Sequence, residues 1–227
     1  IQSLCKVAEL DAAFCGYLLK VVNSAMYQSP VTITQVNTAI SRLGLQNTCN
    51  VAISYAIKNL FGASTPSMAK QLTQQSTIST YTAAVASVMS SSIQKTISQD
   101  EALLAGLLQD IGCLPIIAKA ATYPELIADN EAMRELFDKY AAPVGGAIIK
   151  KWGLDAKFAE VVRRRDQWDY RHAGSLNLTD VIILAKFHCY TQFKQLAALP
   201  ALNQLPAFNK FNQQRQLTPE QRAAIDQ

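Results

Sequence analysis

The sequence predicts an all-α fold, and three observations support this. Apolar residues recur at three- and four-residue spacing along nearly the whole chain, which is the pattern of amphipathic helices. No alternating apolar and polar run of useful length is present, so no β-strand is predicted. No segment repeats with a period of about 20 to 50 residues, as a helical repeat array would. With 227 residues, of which 49% are hydrophobic and 17% charged, the chain can bury one sizeable core or two small ones.

The first helices form a predicted N-terminal helical subdomain, residues 1–62. Asp11 is a good N-cap for the first helix, and Asn23 and Ser24 end it, because their side chains bond the local backbone. Gly44 ends the second helix, and a third runs to the end of the subdomain. We expect structural roles for these residues: Asn23 and Ser24 as caps, and Gly44 with a positive φ that other residues resist.

The loop GASTPS, residues 62–67, marks the predicted boundary to a larger helical core over residues 68–195. A capping box that begins at Ser98 opens one of its helices, which carries the stretch GLLQDIG, residues 106–112. We expect the leucines of this stretch to lie in the core and Gly112 to end the helix.

Start and stop signals divide the rest of this core into shorter helices. Pro124 suits the first position of one helix, Asp155 caps another, and the run SLNLTDVIILAKFHCY predicts a further apolar helix. The C-terminal extension, residues 196–227, is rich in Gln, Asn and Pro at first and is expected to be looser. A last helix is predicted to start at Thr218, which opens a capping box.

Charge and cysteine content point to a cytoplasmic protein. The 21 basic and 17 acidic residues give a net charge of +4, too small an excess to indicate nucleic-acid binding by itself. No apolar run reaches the ~18 residues that span a bilayer, and Ile1 is not followed by a signal-like segment. Because the sequence starts at Ile1 without Met, we expect an upstream segment. The odd number and wide spacing of the five cysteines favour buried free thiols in a reducing compartment: Cys5, Cys15, Cys49, Cys113 and Cys189.

Residues for metal or nucleophilic chemistry are scarce. The chain has two histidines: His188, interpreted as a hydrogen-bonded residue of an apolar helix, and His172, interpreted as a loop residue. No H-E-x-x-H, P-loop, G-x-S-x-G or dinucleotide-binding motif occurs. Asp110 alone cannot hold a catalytic metal ion, which needs several converging ligands.

Four stretches carry a family resemblance in their order: DAAFCGYLLKVVNSAMY, ITQVNTAISRLGLQN, GLLQDIG and VGGAIIKKWGLDAKFAEVV. In this combination the chain resembles the HD-related output domain (HDOD) of bacterial signalling proteins. The resemblance extends from Asp11 to Lys186 and covers most of the chain. It implies an HD-like helical bundle with an N-terminal helical subdomain, together forming one HDOD domain.

The HDOD family is related to HD-type phosphohydrolases, whose metal ions are held by a first His, an adjacent His-Asp pair, further histidines and a late Asp. This chain departs from that pattern at most positions: Gln75 or its neighbour at the first His, Gln109 at the paired His, Ala141 at a later His, Arg165 and Asp166 at a His-His pair, and Lys186 at the late Asp. Asp110 alone is kept. The resemblance therefore implies no catalytic residue, no metal ion and no cofactor, with Asp110 as a vestigial ligand.

The exchanged residues suggest what replaces the metal ion. Gln is a neutral and poor ligand, and charged Arg and Lys do not coordinate divalent cations. An Asp110 near the core then needs a proton, backbone N–H donors at a helix end, or a side-chain cation. We expect Lys186 or Arg165 to approach Asp110 and to supply the charge.

The densest basic run is RRRDQWDYR, residues 163–171. Cations beside aromatic rings suit a nucleotide or another anionic ligand. Two interpretations stay open: a solvated helix end whose arginines favour the helix dipole, or a patch for an anionic ligand or partner. Nucleic acid is not the expected ligand. The candidate patch consists of Arg163, Arg164, Arg165, Trp168, Tyr170 and Arg171.

The resemblance implies a non-catalytic bacterial signal-transduction module that binds a signalling protein and a small anionic ligand such as a nucleotide. The alternative is an enzyme, namely a divergent metal-dependent phosphohydrolase that acts on a nucleotide or other phosphoester through Asp110 and Asp166.

Overall fold

The computed structural model describes residues 11–24, 27, 31–60, 63–93, 97–193 and 199–214. Every regular element in these ranges is a helix, and the all-α prediction is confirmed. The chain divides into two compact units, residues 1–62 and 63–227. Cys5 and the helix predicted from Thr218 lie outside the described residues, and the side chain of Cys49 is not described.

The first unit contains α1 (Ala12–Val22) and α2 (Val36–Leu60). The side chain of Asp11 caps α1 by accepting hydrogen bonds from the backbone N–H groups of Ala13 (2.9 Å) and Phe14 (3.0 Å). Gly44 interrupts α2 with φ 76° and ψ 170°, a conformation that disfavours any residue with a Cβ. The helical run therefore consists of two helices that meet at Gly44.

Asn23 joins the end of α1 to the segment before α2. Its amide Nδ2 donates to the carbonyls of Leu19 and Ile33, each at 2.8 Å, and its Oδ1 accepts from the N–H of Ile33 at 2.8 Å. Ser24 contributes through its backbone, since its N–H donates to the carbonyl of Val21 at 3.0 Å. The Asn23 side chain therefore makes one hydrogen bond to the last turn of α1 and two to the backbone of Ile33, and so ties the helix end to the segment before α2.

The second unit is a bundle of eight α-helices within the described residues: α3 (Pro66–Ser91), α4 (Gln99–Leu108), α5 (Cys113–Ala120), α6 (Pro124–Ala128), α7 (Asn130–Lys151), α8 (Ala156–Arg164), α9 (Leu178–Phe193) and α10 (Pro206–Gln214). A short 3₁₀ helix, Leu202–Gln204, precedes α10.

Helix α9 lies at the centre of this bundle. It packs against α3, α4, α8 and α10, and every residue from Leu178 to Phe187 is buried. A helix that is apolar all round belongs in the interior, so its buried polar residues Asp180 and Lys186 need partners. Both find them in the loop between α8 and α9, residues 165–177.

The C-terminal part differs from the expectation of a loose extension. Residues 206–214 form α10, which packs on α9. Leu205, Ala207 and Phe211 are buried. These three apolar residues form only a short pattern and are surrounded by Gln and Asn, so the helix was not recognised in the sequence.

Gly112 was expected to end helix α4, but the helix ends earlier, at Leu108. Residues 109–112 form a turn, and Gly112 is the N-cap of α5 with an ordinary φ of −69°. Gly112 is required by packing: a Cβ there would overlap the carbonyl oxygen of Ala141 and lie 2.7 Å from the backbone nitrogen of Gly145. The turn that carries Asp110 is thus pressed against the backbone of α7.

One stretch, Gln99–Ala120, is long and apolar enough by length and composition to cross a membrane. No apolar stretch of this length was expected from the sequence. In the structure it is divided into α4 and α5 by the turn at residues 109–112, and most of it is buried against other helices of the bundle. These are core helices, and the buried charge of Asp110 lies between them.

Candidate functional site

Two cations meet Asp110 in the interior of the second unit. Arg165 Nε donates to Asp110 Oδ1 at 2.6 Å, and Lys186 Nζ donates to the same oxygen at 2.9 Å. The exposed fraction of these side chains is 4% for Asp110, 6% for Arg165 and 1% for Lys186. Both cations named from the sequence therefore lie at Asp110, with the charge of one carboxylate shared between them.

Asp166 supplies the second negative charge. Its Oδ1 lies 2.7 Å from Lys186 Nζ, and its Oδ2 lies 3.2 Å from Arg165 Nε. We call Asp110, Asp166, Arg165 and Lys186 the ion cluster. It contains two positive and two negative groups and is neutral as a whole. The bridging position of Asp166 was not predicted, since sequence analysis had named this residue only as a metal ligand of the alternative enzyme.

The charges of the cluster hold one another ionised. Burial alone would raise the pKa of Asp110, but the charges of Lys186 and Arg165 and their hydrogen bonds outweigh it and lower that pKa. Burial alone would lower the pKa of Lys186, yet Asp110 and Asp166 raise it above its ordinary value. The pKa of Arg165 is raised against burial by the charges of Asp166 and Asp110. At neutral pH all three groups are therefore charged.

The ion cluster forms the polar floor of an open cavity of about 820 Å³. This volume is within the range of small-molecule sites. The cavity walls combine amide and aromatic side chains: Gln71, Gln74, Gln75, Asn130, Gln167, Phe137, Trp168 and Tyr190. Gln71 Nε2 is engaged with Asn130 Oδ1 at 3.2 Å. The walls therefore offer hydrogen bonds and ring surfaces, and three exposed charged residues also line the cavity: Arg134, Asp138 and Arg163.

Two exposed arginines lie at the cavity on different helices, Arg134 on α7 and Arg163 on α8. Each has an acidic neighbour one turn away: Glu131 at 3.4 Å from Arg134, and Glu160 at 2.6 Å from Arg163. Such exposed pairs are weak and rearrange readily. Both arginines can thus turn toward an anion in the cavity at small cost.

The divalent metal ions of HD-type phosphohydrolases do not fit this site. The one retained ligand, Asp110, is occupied by two cations, and a metal ion there would face their charges directly. Gln109, at the position of the paired His, is fully buried and does not line the cavity. Ala141 is buried against Gly112. Among the described residues, no group of three or more His, Cys, Asp or Glu side chains is placed to hold a metal ion.

The basic run 163–171 does not form a single patch. Arg165 is buried in the ion cluster, while Arg164 pairs with Glu160 at 3.0 Å and with Gln167 at 2.8 Å. Arg171 is exposed. The run therefore contributes Arg165 and Asp166 to the cavity floor, and Arg163, Gln167 and Trp168 also line the cavity.

The two aromatic residues of this run are placed differently. Trp168 lines the cavity and packs edge-on against Phe187 and Tyr190, with ring centroids 5.8 and 5.9 Å apart. Tyr170 lies outside it, over His172 with centroids 5.1 Å apart. Of the pair, Trp168 alone is positioned to contact a ligand in the cavity.

A second buried polar group joins the same loop to α9 and α10. Asp180 Oδ2 accepts from the backbone N–H of Asn177 at 2.9 Å and lies 2.7 Å from His172 Nε2. Lys210 Nζ, on α10, lies 2.8 Å from the same His172 nitrogen and donates to the His172 carbonyl at 2.9 Å. Sequence analysis missed this cluster, although Asn177 and Asp180 have the spacing of a helix capping box.

Three of the five cysteines have described side chains, and they are free thiols. Cys113 and Cys189 are buried, whereas Cys15 is half-buried. Burial raises the pKa of the Cys113 thiol well above its usual range, and the charge of Asp110 adds to this. Cys113 lines the cavity but is a poor nucleophile there.

A family model of the HDOD domain matches residues 1–168. The chain belongs to the HDOD family. The match includes the N-terminal unit and the second unit through α8 and Trp168. It therefore covers three of the four residues of the ion cluster, all but Lys186.

Solved structures share the fold over nearly the whole chain. A protein from Shewanella amazonensis SB2B, named "Putative metal-dependent phosphohydrolase", is 27% identical with a TM-score of 0.79 over 97% of this chain and 78% of its own. An HDOD domain protein with unknown function from Geobacter sulfurreducens is 16% identical, with a TM-score of 0.68 over 99% of this chain and 81% of its own. The HD-like helical fold is thereby confirmed. Among curated proteins, no match was found.

A third solved structure is that of a protein from Marinobacter aquaeolei VT8, named "Putative signal transduction protein". It is 15% identical with a TM-score of 0.59, and the alignment covers 100% of this chain and 55% of that one. At this identity the likeness shows the fold alone.

Proposed function

We propose that this HDOD protein is a non-catalytic signal-transduction module of the bacterial cytoplasm, which binds a protein partner and a small anionic ligand. The observation that carries the proposal is the neutral ion cluster around Asp110, the position at which the resemblance places a metal ligand. Lys186 and Arg165 hold the retained Asp110 with two charge-assisted hydrogen bonds. A carboxylate held in this way is available neither as a metal ligand nor as a general base.

The cavity supports the ligand part of the proposal. It is open, it has a volume of about 820 Å³, and its walls offer amides and rings. The exposed Arg134 and Arg163 favour a ligand with negative charge, such as a nucleotide. Membership of the HDOD family, whose domains the resemblance places in bacterial signalling proteins, supports a signalling role.

The competing function is that of a divergent HD-type metal-dependent phosphohydrolase acting on a nucleotide or other phosphoester. The protein from Shewanella amazonensis bears such a name, and it is 27% identical to this chain. Catalysis would need Asp110 and Asp166 to leave their cations and to bind a metal ion together. The buried ion pairs of Asp110 oppose this step, because breaking such a pair costs about 3–5 kcal/mol.

Elemental analysis of the purified protein and phosphoesterase assays with added Mn²⁺ or Mg²⁺ distinguish the two functions. We expect substoichiometric metal and a hydrolysis rate that is the same in the wild type and in Asp110→Ala. Stoichiometric metal, together with hydrolysis that Asp110→Ala abolishes, would overturn the proposal. Affinity capture from the native cell with the intact protein would then identify the partner.

A further inference from the structure

We propose that Asp166 is a built-in substitute for a ligand's anionic group, and that a carboxylate or phosphoryl group entering the cavity displaces Asp166 from Lys186 and Arg165. The inference rests on the proposed function, which places a small anionic ligand in this cavity. It adds the subsite and the group that the ligand must carry.

The two carboxylates of the ion cluster are held very differently. Asp110 is 4% exposed and accepts hydrogen bonds from both cations. Asp166 is 36% exposed and lines the cavity. Its Oδ1 is buried and lies 2.7 Å from Lys186 Nζ, but it accepts no hydrogen bond there, as is also true of Asp110 Oδ2. Asp166 thus accepts no hydrogen bond from either cation, whereas Asp110 Oδ1 accepts two. Asp110 is therefore the fixed anion of the cluster, and Asp166 is the loosely held one.

The charge count shows why something must occupy the position of Asp166. Arg165 and Lys186 carry two positive charges, and the fixed Asp110 balances only one of them. If Asp166 turned away, one uncompensated positive charge would remain on side chains that are 6% and 1% exposed. Such a charge is costly unless another anion pairs with it. An oxyanion of one negative charge restores the balance.

The geometry that Asp166 uses is also the geometry that a ligand would use. Its two oxygens bridge Lys186 Nζ and Arg165 Nε at 2.7 and 3.2 Å. Carboxylate and phosphoryl groups both present two oxygens from one centre and can take the two positions of Asp166, with one oxygen beside Lys186 Nζ and the other in charge contact with Arg165, whose Nε–H is donated to Asp110. A halide ion has a single centre and cannot place a separate acceptor atom at each of the two positions that the Asp166 oxygens occupy. The shared ligand chemistry is thus an oxyanion with at least two acceptor oxygens.

The backbone around Asp166 permits the exchange. Asp166 follows the end of α8 and lies in the loop 165–177, not inside a helix. Its displacement requires rotation of one side chain in a turn, whereas Asp110 is fixed by the close packing of Gly112 on α7. Trp168 lies two residues further on and lines the same cavity, so its environment changes when Asp166 moves.

The test compares anion binding by three proteins: wild type, Asp166→Asn and Asp169→Asn. Asp169 is an exposed residue of the same loop, so this control removes the same charge without touching the cluster. Each protein carries Trp152→Phe, which leaves Trp168 as the fluorescent reporter. Inorganic phosphate, acetate and chloride are titrated separately at constant ionic strength.

We expect Asp166→Asn to bind phosphate or acetate at least tenfold more tightly than the wild type does, with no gain for chloride. Tighter binding of phosphate would assign a phosphoryl ligand, and tighter binding of acetate a carboxylate. The Asp169→Asn control should stay within twofold of the wild type. Equal affinities of wild type and Asp166→Asn, or an equal gain in the control, would overturn the inference.

Asp166→Ala provides a second measurement should the Asn side chain keep the bridge of Asp166. In buffer without oxyanions its melting temperature should fall below that of wild type, and phosphate or acetate should restore it. A fall that neither anion reverses would contradict the exchange. The result is separate from that of the metal and hydrolysis assays, which test the proposed function and do not depend on Asp166 exchanging with an anion.

Discussion

Replacement of Lys186 by Met tests whether the ion cluster holds the second unit together. Lys186 is 1% exposed, and its ammonium group lies 2.9 Å from Asp110 and 2.7 Å from Asp166. Met keeps most of the apolar stem but leaves two carboxylates facing one guanidinium group. Removing one partner of a buried ion pair costs about 3–5 kcal/mol. We therefore expect the free energy of unfolding to fall by about that amount.

The measurement is equilibrium unfolding in urea, followed by circular dichroism. Arg134→Met is the matched control, because Arg134 also lines the cavity and loses the same charge, but its pair with Glu131 is 3.4 Å long and exposed. We expect this control to cost less than about 1 kcal/mol.

A charge-balanced double variant sharpens the test. Asp166→Asn in the Lys186→Met background leaves one carboxylate, Asp110, against one guanidinium, Arg165. Asp166→Asn should therefore be neutral or stabilising in that background, while it destabilises the wild type. Coupled positions of this kind depart from additivity by about 0.5–3 kcal/mol. A loss below about 1 kcal/mol for Lys186→Met, or strict additivity in the double variant, would refute the reasoning.

Three further predictions concern the packing and titration of the fold. Gly112→Ala should destabilise the fold by about 1–3 kcal/mol, because the new Cβ would meet the backbone of α7. Gly146→Ala should stabilise it by about 0.5–1 kcal/mol, because the space around its Cβ is open. Urea unfolding measures both changes. Asn23→Ala should speed hydrogen exchange in α1 and cost about 1–3 kcal/mol, because the Ile33 backbone groups lose their partner. The pKa of Asp110 is lowered in the folded protein, so its ionised form stabilises the fold at pH values above the ordinary pKa of 3.8. This stabilisation is lost as the pH falls below 3.8. Asp110→Asn should therefore lose less stability than the wild type over that acidic range.

Each of these predictions has a contrary result. Equal stability of the two alanine variants would mean that the backbone of α7 can move away from a Cβ at position 112 at little cost. Unchanged exchange in α1 would show that Asn23 is not needed to hold the helix end. Parallel acid denaturation curves for wild type and Asp110→Asn would show that Asp110 titrates equally in the folded and unfolded states.

The fold was predictable because helical periodicity is a local signal. Asp11 as a cap and Gly44 as an interruption are decided by neighbours a few residues away, and the structure has them in those places. Helix α10 was missed because its three buried apolar residues are spread among amides, and only its packing on α9 makes it a helix of the core.

The candidate site was predictable only in part. Because an unpaired buried charge is costly, a buried Asp110 was expected to need a cation. The family resemblance pointed to Lys186 and Arg165, because they lie at positions where relatives have metal ligands. The bridging carboxylate of Asp166 depends on how a loop folds back over α9, and no local pattern encodes that. The contact of Lys210 with His172 could not be predicted for the same reason, since 38 residues separate them.

The loop 165–177 is attached to one rigid helix at two polar points. Asp166 meets Lys186, and His172 meets Asp180, both partners being on α9. Dissolved salt screens partly exposed charges far more than buried ones, and Asp166 is 36% exposed while Asp110 is 4% exposed. Ionic strength should therefore loosen the outer edge of this loop and leave the helices beneath it unaffected. We therefore expect the conformation of the loop above the cavity to change with salt concentration while the fold stays the same.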